Sequence, residues 1–380
     1  MKLQSKLPQA GTTIFSTMSA LAREHQAINL SQGFPDYDCA PELSDLATHY
    51  IRQGFNQYAP MPGAIQLRER VAEILSRCYQ RQYDPETEIT ITAGATQAIY
   101  TAIAAFIRPN DEVIVFEPAY DCYTPAIEVH GAKVIYSKLN MPGFSINWQD
   151  VRAKITPQTR AIIINSPHNP SGSVISPQDI TELENIVRGS NILVISDEVY
   201  EHMVFDGNRH QSMACSQILS AQSIIVSSFG KTVHTTGWKI GYVAAPKELM
   251  LEFRKIHQFL VFAVNHPLQL ALADFLGNRD NYLQLRHFYQ AKRDLFLELT
   301  RESRFEPLKT EGTYFQLMSY KNITDEKDTD YAVRLTKEKQ LATIPLSVFY
   351  SDGEDNKLLR FCFAKKDETI KKAAKIICSL

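Results

Sequence analysis

The 380-residue sequence lacks the patterns that mark several large classes of protein. Its six cysteines are scattered, without a C-x-x-C pair or a His/Cys cluster, which argues against a disulfide framework and a zinc site. No apolar run approaches the roughly 20 residues of a membrane span, and the first residues, MKLQSKLPQAGTT, contain no apolar signal region. We therefore expect a cytoplasmic protein with reduced thiols and no metal site.

A strong excess of either charge is also missing. The 40 basic and 42 acidic residues leave a formal net charge of -2. This balance disfavours an extended surface for nucleic acid or an anionic membrane, although it leaves room for a local basic pocket. We expect small-molecule substrates, and neither a nucleic-acid nor a membrane partner.

Short apolar runs alternate with helical patterns between residues 88 and 246. The runs are EITITA, DEVIVFEP, AKVIYSKL, RAIIINSP, NILVISDEVY, SIIVSSF and GYVAAP. This alternation is typical of an α/β fold, and it predicts a mainly parallel seven-stranded sheet with helices on both faces. In such folds the active groups gather at the carboxyl ends of the strands.

The length of the chain favours one large and one small domain. After residue 246 the pattern is helical to about residue 303. A smaller α+β region follows, with EGTYFQLM, ATIPLSVF and LLRFCFAK as strands and a final helix near 367–379. We assign 46–280 to the large domain and 281–380 to the small one. Residues 1–45 are expected to be an irregular segment that packs on the small domain or across the active-site mouth.

Polar groups follow four of the predicted strands. RAIIIN is followed by a turn with Asn165 and Asn169, NILVIS by Asp197, and SIIVSSF by Gly-Lys231. EITITA leads into residues 94–96, Gly-Ala-Thr, which open a helix and present free backbone N–H groups to an anion. Taken singly, the asparagines can be turn formers, the aspartate a helix cap and the glycine part of a tight turn.

A lysine at the end of a buried strand indicates a role in catalysis more strongly than these residues do. Desolvation lowers the pKa of its amine and favours imine formation. With a buried acid, amide donors and an anion site at the neighbouring strand ends, the set is the one that pyridoxal 5′-phosphate requires.

The same residues carry a resemblance to a known family. The motifs N-S-P-H-N-P-S-G, S-D-E-V-Y and S-S-F-G-K-T…T-G-W-K-I-G-Y, in this order, resemble the fold-type-I pyridoxal-phosphate aminotransferases of class I/II. Within them the chain is similar to the branch that contains methionine aminotransferase and kynurenine/glutamine transaminase K. The likeness runs from N-L-S-Q-G-F-P-D near residue 29 to L-L-R-F-C-F-A-K near residue 358.

The resemblance implies roles around the cofactor. Lys231 would bind the cofactor covalently and shuttle the substrate proton, and Asp197 would pair with the protonated pyridine nitrogen. Tyr200 and Asn169 would hydrogen-bond the 3′ oxygen. The other implied contacts are Asn165 beside the ring, Tyr120 on its face, Gly94, Ala95, Thr96, Ser228 and Lys239 around the phosphate, and Tyr58 reaching the phosphate from the partner subunit of a homodimer.

The resemblance also implies how the substrate is bound. Arg360 would hold the α-carboxylate through a bidentate pair, with Asn169 and the Gly33 backbone in support. Its apolar neighbours in LLRFCF disfavour a solvated surface arginine. Phe15 and Phe262 are candidate walls of the side-chain pocket, and each can equally be a plain core aromatic.

The predicted activity is transfer of an amino group to a 2-oxo acid by a ping-pong mechanism. No arginine matches a distal carboxylate, so an uncharged, medium-to-large donor is expected: methionine first, then glutamine, phenylalanine, tyrosine and histidine. The alternatives are a carbon–sulfur β-lyase with the same cofactor, a kynurenine aminotransferase and a non-catalytic regulator on the same fold. Thr96 disfavours kynurenine, because kynurenine-specific relatives often have tyrosine there. A β-lyase would release pyruvate without any added 2-oxo acid.

Overall fold

A computed structural model describes residues 4–8 and 10–380 of the chain. Its strands are β1 Ile28–Asn29, β2 Ile89–Thr92, β3 Glu112–Glu117, β4 Lys133–Lys138, β5 Thr159–Asn165, β6 Leu193–Asp197, β7 Ser223–Ser228, β8 Gly241–Ala244, β9 Glu306–Pro307, β10 Phe315–Ser319, β11 Leu341–Ala342, β12 Ile344–Pro345 and β13 Leu358–Cys362. The seven predicted runs form one sheet in the order β2-β8-β7-β6-β5-β3-β4. Only β8 is antiparallel to its neighbours, so the prediction of a mainly parallel seven-stranded sheet is confirmed.

Helices cover both faces of this sheet. Across the described part of the chain the helices are α1 Ile14–Glu24, α2 Pro41–Arg52, α3 Ile65–Tyr79, α4 Gly94–Phe106, α5 Tyr123–Glu128, α6 Trp148–Lys154, α7 Pro177–Val187, α8 Gln217–Ala221, α9 Phe229–Thr232, α10 Lys247–Leu260, α11 His266–Phe275, α12 Asp280–Leu283, α13 Leu285–Thr300, α14 Asp328–Lys339 and α15 Asp367–Cys378. None of the helices within the described ranges is long and apolar enough to cross a membrane.

Two apolar cores result from the period-two alternation of the strands. In β3, Val113 and Val115 belong to the core under α4, α5 and α10. Ile114 and Phe116 point to the opposite face and join the larger core under α3 and α7, which continues into the small domain. Because both faces are buried, the strands read as nearly continuous apolar runs.

The C-terminal region contains a second, antiparallel sheet. Its order is β12-β13-β10-β9, and α13, α14 and α15 surround it. β1 pairs in parallel with β11, so a strand from the start of the chain joins one near its end. The domain boundaries proposed from the sequence stay a prediction.

The expectation that residues 1–45 are irregular is wrong. α1 lies in this segment, with Thr13 as its N-cap accepting a hydrogen bond from the Ser16 amide. Its sequence, IFSTMSALARE, repeats apolar residues at helical spacing from Ile14 to Ala22, so the segment carries the pattern of an amphipathic helix, which the expectation overlooked. The boundary assigned between residues 280 and 281 falls in the stretch whose pattern predicts helix to about residue 303, and the structure divides this stretch into α10, α11, α12 and α13.

Residues 28–36, which we call the strap, are fastened to the small domain. The Leu30 carbonyl accepts a hydrogen bond from the Cys362 amide at 2.9 Å. The Asp36 carboxylate accepts one from the Lys366 amide and one from the Thr369 hydroxyl, both at 2.6 Å, at the start of α15. The strap therefore holds its position through contacts with the last part of the chain.

The Asp36 contacts give a test of this attachment. Asp36→Ala removes both hydrogen bonds, and we expect the amides of the strap to exchange hydrogen roughly 5–30-fold faster, equivalent to about 1–2 kcal/mol of local opening free energy. Asp38→Ala is the matched control, since no hydrogen bond or ion pair of the Asp38 carboxylate is found within the described part of the chain. Equal exchange in the two variants would contradict the strap's dependence on Asp36.

Candidate active site

A cavity of about 370 Å³ opens at the carboxyl ends of the large sheet. The structure brings most of the predicted site residues to its wall: Phe15, Gly33, Gly94, Ala95, Thr96, Tyr120, Asn165, Asn169, Asp197, Tyr200, Ser228, Lys231, Lys239 and Arg360. Tyr58 and Phe262 lie outside it. Gln32, Ile99, Val199, Thr236 and Phe315 also line the cavity and were not singled out in the sequence.

The sheet itself places the polar groups side by side. Asn165 ends β5 and Asp197 ends β6, and the two are register partners in neighbouring parallel strands. The side-chain nitrogen of Asn165 donates a hydrogen bond to the Asp197 backbone carbonyl at 3.0 Å. The side-chain oxygen of Asn165 accepts one from the Asn169 backbone amide at 2.9 Å. The turn after β5 is thereby fixed to the end of β6.

Asp197 is a buried carboxylate that faces the cavity, with 4% of its surface exposed. Its Oδ2 accepts a hydrogen bond from the Tyr123 hydroxyl at 2.6 Å. Burial raises the pKa of Asp197 from 3.8 to about 6, although the Tyr123 hydrogen bond opposes the shift. The folded state thus holds this proton to higher pH than the unfolded chain, so ionising Asp197 lowers the free energy of unfolding between about pH 4 and pH 6. A cation beside the carboxylate would remove this cost.

Lys231 lies in α9, one short turn beyond the end of β7. Its Nζ donates to the Tyr314 hydroxyl oxygen at 2.8 Å and to the Gly33 carbonyl at 3.2 Å. Burial lowers the pKa of Lys231 from 10.5 to about 8. About a tenth of such an amine is neutral at pH 7, against roughly 0.03% of an ordinary lysine, so it can act as a nucleophile or base.

The start of α4 forms an anion site with Lys239. Gly94 has a φ of +78°, and a Cβ atom there would lie 3.4 Å from the Lys239 Nζ. The glycine therefore lets the ammonium approach the helix start, where the amides of Ala95 and Thr96 are free of helical partners. Ser228 lines the same end of the cavity. Donors and positive charge converge here as a phosphate dianion requires.

Arg360 is buried among aromatic rings on the opposite wall. Its Nη1 donates to the Asn169 side-chain oxygen at 2.7 Å and its Nη2 to the Ser31 carbonyl at 2.8 Å. The guanidinium carbon lies 3.9 Å from the centre of the Phe315 ring. Nε is buried and has no partner within the described residues. Its charge has no ion-pair partner among the described residues, so the group can receive a carboxylate from the cavity that it lines.

Tyr58 and Phe262 form part of an exposed apolar patch instead. Their rings lie 5.1 Å apart edge to face, and 80% of Tyr58 and 52% of Phe262 are exposed. Phe55, Phe259 and Leu260 are also exposed nearby in sequence. The interpretation of Phe262 as a core aromatic is wrong, because the ring is half in solvent. Within one chain it is not a wall of the cavity either.

The donor set fits a phosphorylated aldehyde cofactor with a basic ring nitrogen. The cavity holds a lysine amine with a lowered pKa, a buried carboxylate that lacks a close cation, an anion site and a guanidinium for a carboxylate. Within residues 4–8 and 10–380 there is no group of His, Cys, Asp and Glu side chains that could hold a metal ion. The geometry therefore supports the chemistry of an amino group and a carboxylate on one small molecule.

Tyr123 and Tyr314 are polar partners that the sequence analysis missed. Tyr123 follows Tyr120 in A-Y-D-C-Y, and Tyr314 lies in E-G-T-Y-F, which was interpreted only as a strand. Neither position has a sequence pattern that distinguishes a site tyrosine from a core one. Their roles depend on which side chains the fold brings opposite them.

Comparison with known proteins gives matches over nearly the whole chain. The family model described as aminotransferase class I and II matches residues 25–377. Methionine aminotransferase of Escherichia coli K12 is 50% identical over 372 residues, which cover 98% of this chain and 96% of that protein. Kynurenine–oxoglutarate transaminase of Dictyostelium discoideum is 32% identical over 96% of this chain and 93% of its own. Among solved structures, Escherichia coli YbdL, for which a methionine aminotransferase function was identified, has a TM-score of 0.98 at 48% identity, with both chains fully covered.

The hydrogen bond to Asp197 gives a test of the site's electrostatics. Tyr123→Phe removes a donor that stabilises the carboxylate, so we expect the pKa of Asp197 to rise by about one unit. Isotope-edited infrared titration of the aspartate carboxyl bands in the ligand-free chain measures the change. Tyr136→Phe is the control, because its hydroxyl bonds to Thr124 at 2.9 Å and not to Asp197. An unchanged Asp197 midpoint in Tyr123→Phe would show that burial alone sets it.

Proposed function

The chain belongs to the class I and II aminotransferases, and we propose that it transfers the amino group of methionine and similar uncharged amino acids to a 2-oxo acid. The family's cofactor is pyridoxal 5′-phosphate. One observation carries the proposal: Lys231, Asp197 and Arg360 line a single cavity at the strand ends. An amine, a ring partner and a carboxylate-binding group therefore act on the same small molecule.

The residues around the cavity would hold this cofactor in one orientation. The amides of Ala95 and Thr96, with Ser228 and Lys239, would bind its phosphate. Tyr120 would cover one face of the ring, and Tyr200 and Asn169 would reach the 3′ oxygen. When bound, the cofactor supplies an aldehyde that takes up the amino group and a protonated pyridine ring that accepts electrons from the substrate Cα–H bond.

Asp197 would keep the ring nitrogen protonated. Its carboxylate is buried and already receives the Tyr123 hydrogen bond, so it is oriented before any ligand binds. A pyridinium ion opposite Asp197 would stabilise the buried carboxylate in its charged form.

Arg360 would bind the substrate α-carboxylate and fix the direction of the Cα–H bond. Its Asn169 and Ser31 contacts hold the guanidinium in place at the wall of the cavity. Lys231 in its neutral form would take the Cα proton and return it on the cofactor side. The donor and the acceptor use the same arginine in turn, which makes ping-pong kinetics the expected pattern.

The wall for the substrate side chain is aromatic. The Phe15 ring lies 6.4 Å from Tyr120 and 6.0 Å from Phe349. The basic side chains that line the cavity among the described residues are Lys231, Lys239 and Arg360, and each has a proposed role, so none of them is left to pair with a distal carboxylate. A thioether packs favourably against aromatic rings, which supports methionine as the preferred donor.

We also propose a homodimer with shared active sites. The exposed patch around Tyr58, Phe259 and Phe262 is apolar and aromatic, as the core of a protein–protein interface is. In a two-fold dimer this patch would bring Tyr58 to the cofactor phosphate of the partner and Phe262 to the rim of its substrate pocket.

The proposed location is the cytoplasm. All six cysteines are free in the structure, and Cys215 and Cys378 are exposed. Unpaired exposed thiols are typical of reducing compartments.

A donor screen tests the substrate assignment. Methionine, glutamine, phenylalanine, tyrosine, histidine and aspartate are each offered with several 2-oxo acids while the cofactor spectrum is followed. We expect the highest kcat/KM with methionine and at least about 100-fold less with aspartate, because its second carboxylate would be buried without a partner. Lys231→Ala, the control, should lose the absorption band of the lysine-bound cofactor.

Three outcomes of the screen would contradict the proposal. A spectrum that no amino acid changes would exclude transamination. A faster reaction with aspartate would exclude an uncharged pocket. Pyruvate released from a cysteine conjugate without any 2-oxo acid, at a rate above that of methionine transfer, would indicate the β-lyase instead.

Mixed dimers test the shared site. Lys231→Ala and Tyr58→Ala are each expected to impair the homodimer, whereas a randomised 1:1 mixture should recover about a quarter of the wild-type sites, since each mixed dimer contains one intact site. Lys231→Ala mixed with Asp197→Ala is the control and should recover nothing, because those residues belong to the same chain's cavity. No recovery with Tyr58→Ala would place Tyr58 outside the partner's site.

A further inference from the structure

The amine of Lys231 is held by two hydrogen-bond acceptors. Its Nζ donates to the Tyr314 hydroxyl oxygen at 2.8 Å and to the carbonyl of Gly33, in the strap, at 3.2 Å. The Tyr314 hydroxyl in turn donates its own hydrogen to the Gly33 carbonyl. Lysine, tyrosine and carbonyl therefore form a closed triangle of hydrogen bonds.

The direction of these bonds determines what the amine can do. A neutral amine has two N–H groups, and the triangle supplies one acceptor for each. The Tyr314 hydrogen is used on Gly33, so the hydroxyl cannot donate to the nitrogen lone pair. An ammonium would carry a third N–H, for which the described residues provide no acceptor. The two acceptors thus satisfy both N–H groups of the neutral amine, while burial of the side chain lowers the pKa of Lys231.

We propose that Tyr314 is a positioning residue for Lys231: together with the Gly33 carbonyl it holds the lysine amine whenever the amine is not bonded to the cofactor, and it leaves the lone pair free to take the substrate proton. The proposal rests on Lys231 being the cofactor-bearing lysine. It assigns to Tyr314 a role in the proton-transfer step and none in binding the substrate carboxylate.

Tyr314 is well fixed for such a role. Only 1% of its surface is exposed, and its ring packs edge to face on Tyr200 and Phe315, with centroids 5.2 Å and 4.9 Å away. Its carbonyl accepts a hydrogen bond from the Phe363 amide at 3.0 Å. Thr313, the residue before it, has a φ of +67°, a conformation that a threonine keeps only when its surroundings impose it. The hydroxyl is therefore placed by the backbone and by ring packing, not by Lys231.

Tyr314 would act in the proton-transfer step, during which Lys231 is not bonded to the cofactor. Once the substrate amine has replaced Lys231 on the cofactor, a flexible four-carbon side chain must keep its nitrogen near the Cα proton. Without an acceptor the amine would lose its orientation, which would slow the transfer. The triangle limits this loss.

The test compares Tyr314→Phe with Tyr289→Phe in the assembled enzyme. Tyr289 is a buried neighbour in the same aromatic cluster, with its ring 5.5 Å from Tyr314, but its hydroxyl bonds to Tyr37 at 3.0 Å and not to Lys231. Each variant loses one hydroxyl and keeps its ring, so packing is preserved in both. The first readout is the methionine half-reaction, run with ordinary and Cα-deuterated methionine.

We expect Tyr314→Phe to lower kcat about 10–100-fold with KM for methionine within about threefold, and to enlarge the deuterium effect because proton transfer becomes slower than the other steps. Tyr289→Phe should stay within about twofold of the wild type in both respects. A loss of kcat without a larger isotope effect would overturn the proposal, because it would mean a structural defect and not a slower proton transfer.

The second readout does not depend on turnover. In the enzyme loaded with pyridoxamine 5′-phosphate the lysine is unattached, and its acylation by acetic anhydride can be followed by mass spectrometry as a function of pH. The Tyr314 oxygen accepts more strongly from an ammonium than from a neutral amine, so its removal should lower the labelling midpoint of Lys231 by about one pH unit. An unchanged midpoint in Tyr314→Phe would overturn the proposal.

The two proposals fail in different ways. If Lys231→Ala retains the covalent cofactor band, the cofactor-bearing lysine is another residue and the proposed function is wrong at that point. The labelling midpoint of Lys231 still reports directly on whether Tyr314 holds this amine. If Lys231→Ala loses the covalent cofactor band but Tyr314→Phe leaves the labelling midpoint of Lys231 unchanged, only the role proposed for Tyr314 is rejected.

Discussion

The burial of two titratable groups at neighbouring strand ends is the constraint on which the rest of this structure depends. Asp197 and Lys231 follow adjacent strands of one sheet, and both are removed from water. Burial raises the pKa of the acid and lowers that of the amine, so each group is brought towards neutral pH. The fold tolerates the cost because the cavity between them is built for a ligand that carries the complementary charges.

The surrounding residues provide polar partners for these buried groups. Tyr123 stabilises the carboxylate, the Tyr314–Gly33 pair satisfies the amine, and Lys239 lies at the anion site. Arg360 is the third buried charge, and it is partly satisfied by Asn169 and the strap. Each group is oriented before the substrate arrives, which is how a site lowers a barrier without reorganising during the reaction.

Much of this arrangement could be predicted from the sequence, because parallel strands deliver their carboxyl ends to one edge and the residues there follow the strands directly. Asn165, Asp197 and Lys231 are of this kind. The burial of Arg360 could be predicted from its apolar neighbours, and its role from the family resemblance. Tyr314 was not, since its role depends on a carbonyl some 281 positions away. The periodic apolar pattern of α1 was present in the sequence and was overlooked.

The strap has a consequence for the way the molecule is made. Ser31 contributes its carbonyl to Arg360 across 329 positions of sequence, and Leu30 depends on the Cys362 amide. During synthesis the early segment must therefore wait for the last strand, on the order of half a minute at ordinary translation rates. The large sheet can form during translation, but the wall of the cavity that contains Arg360 cannot. A partly synthesised chain thus has Lys231 without Arg360, the residue that we propose binds the substrate carboxylate, so this part of the site is completed only as the chain is finished.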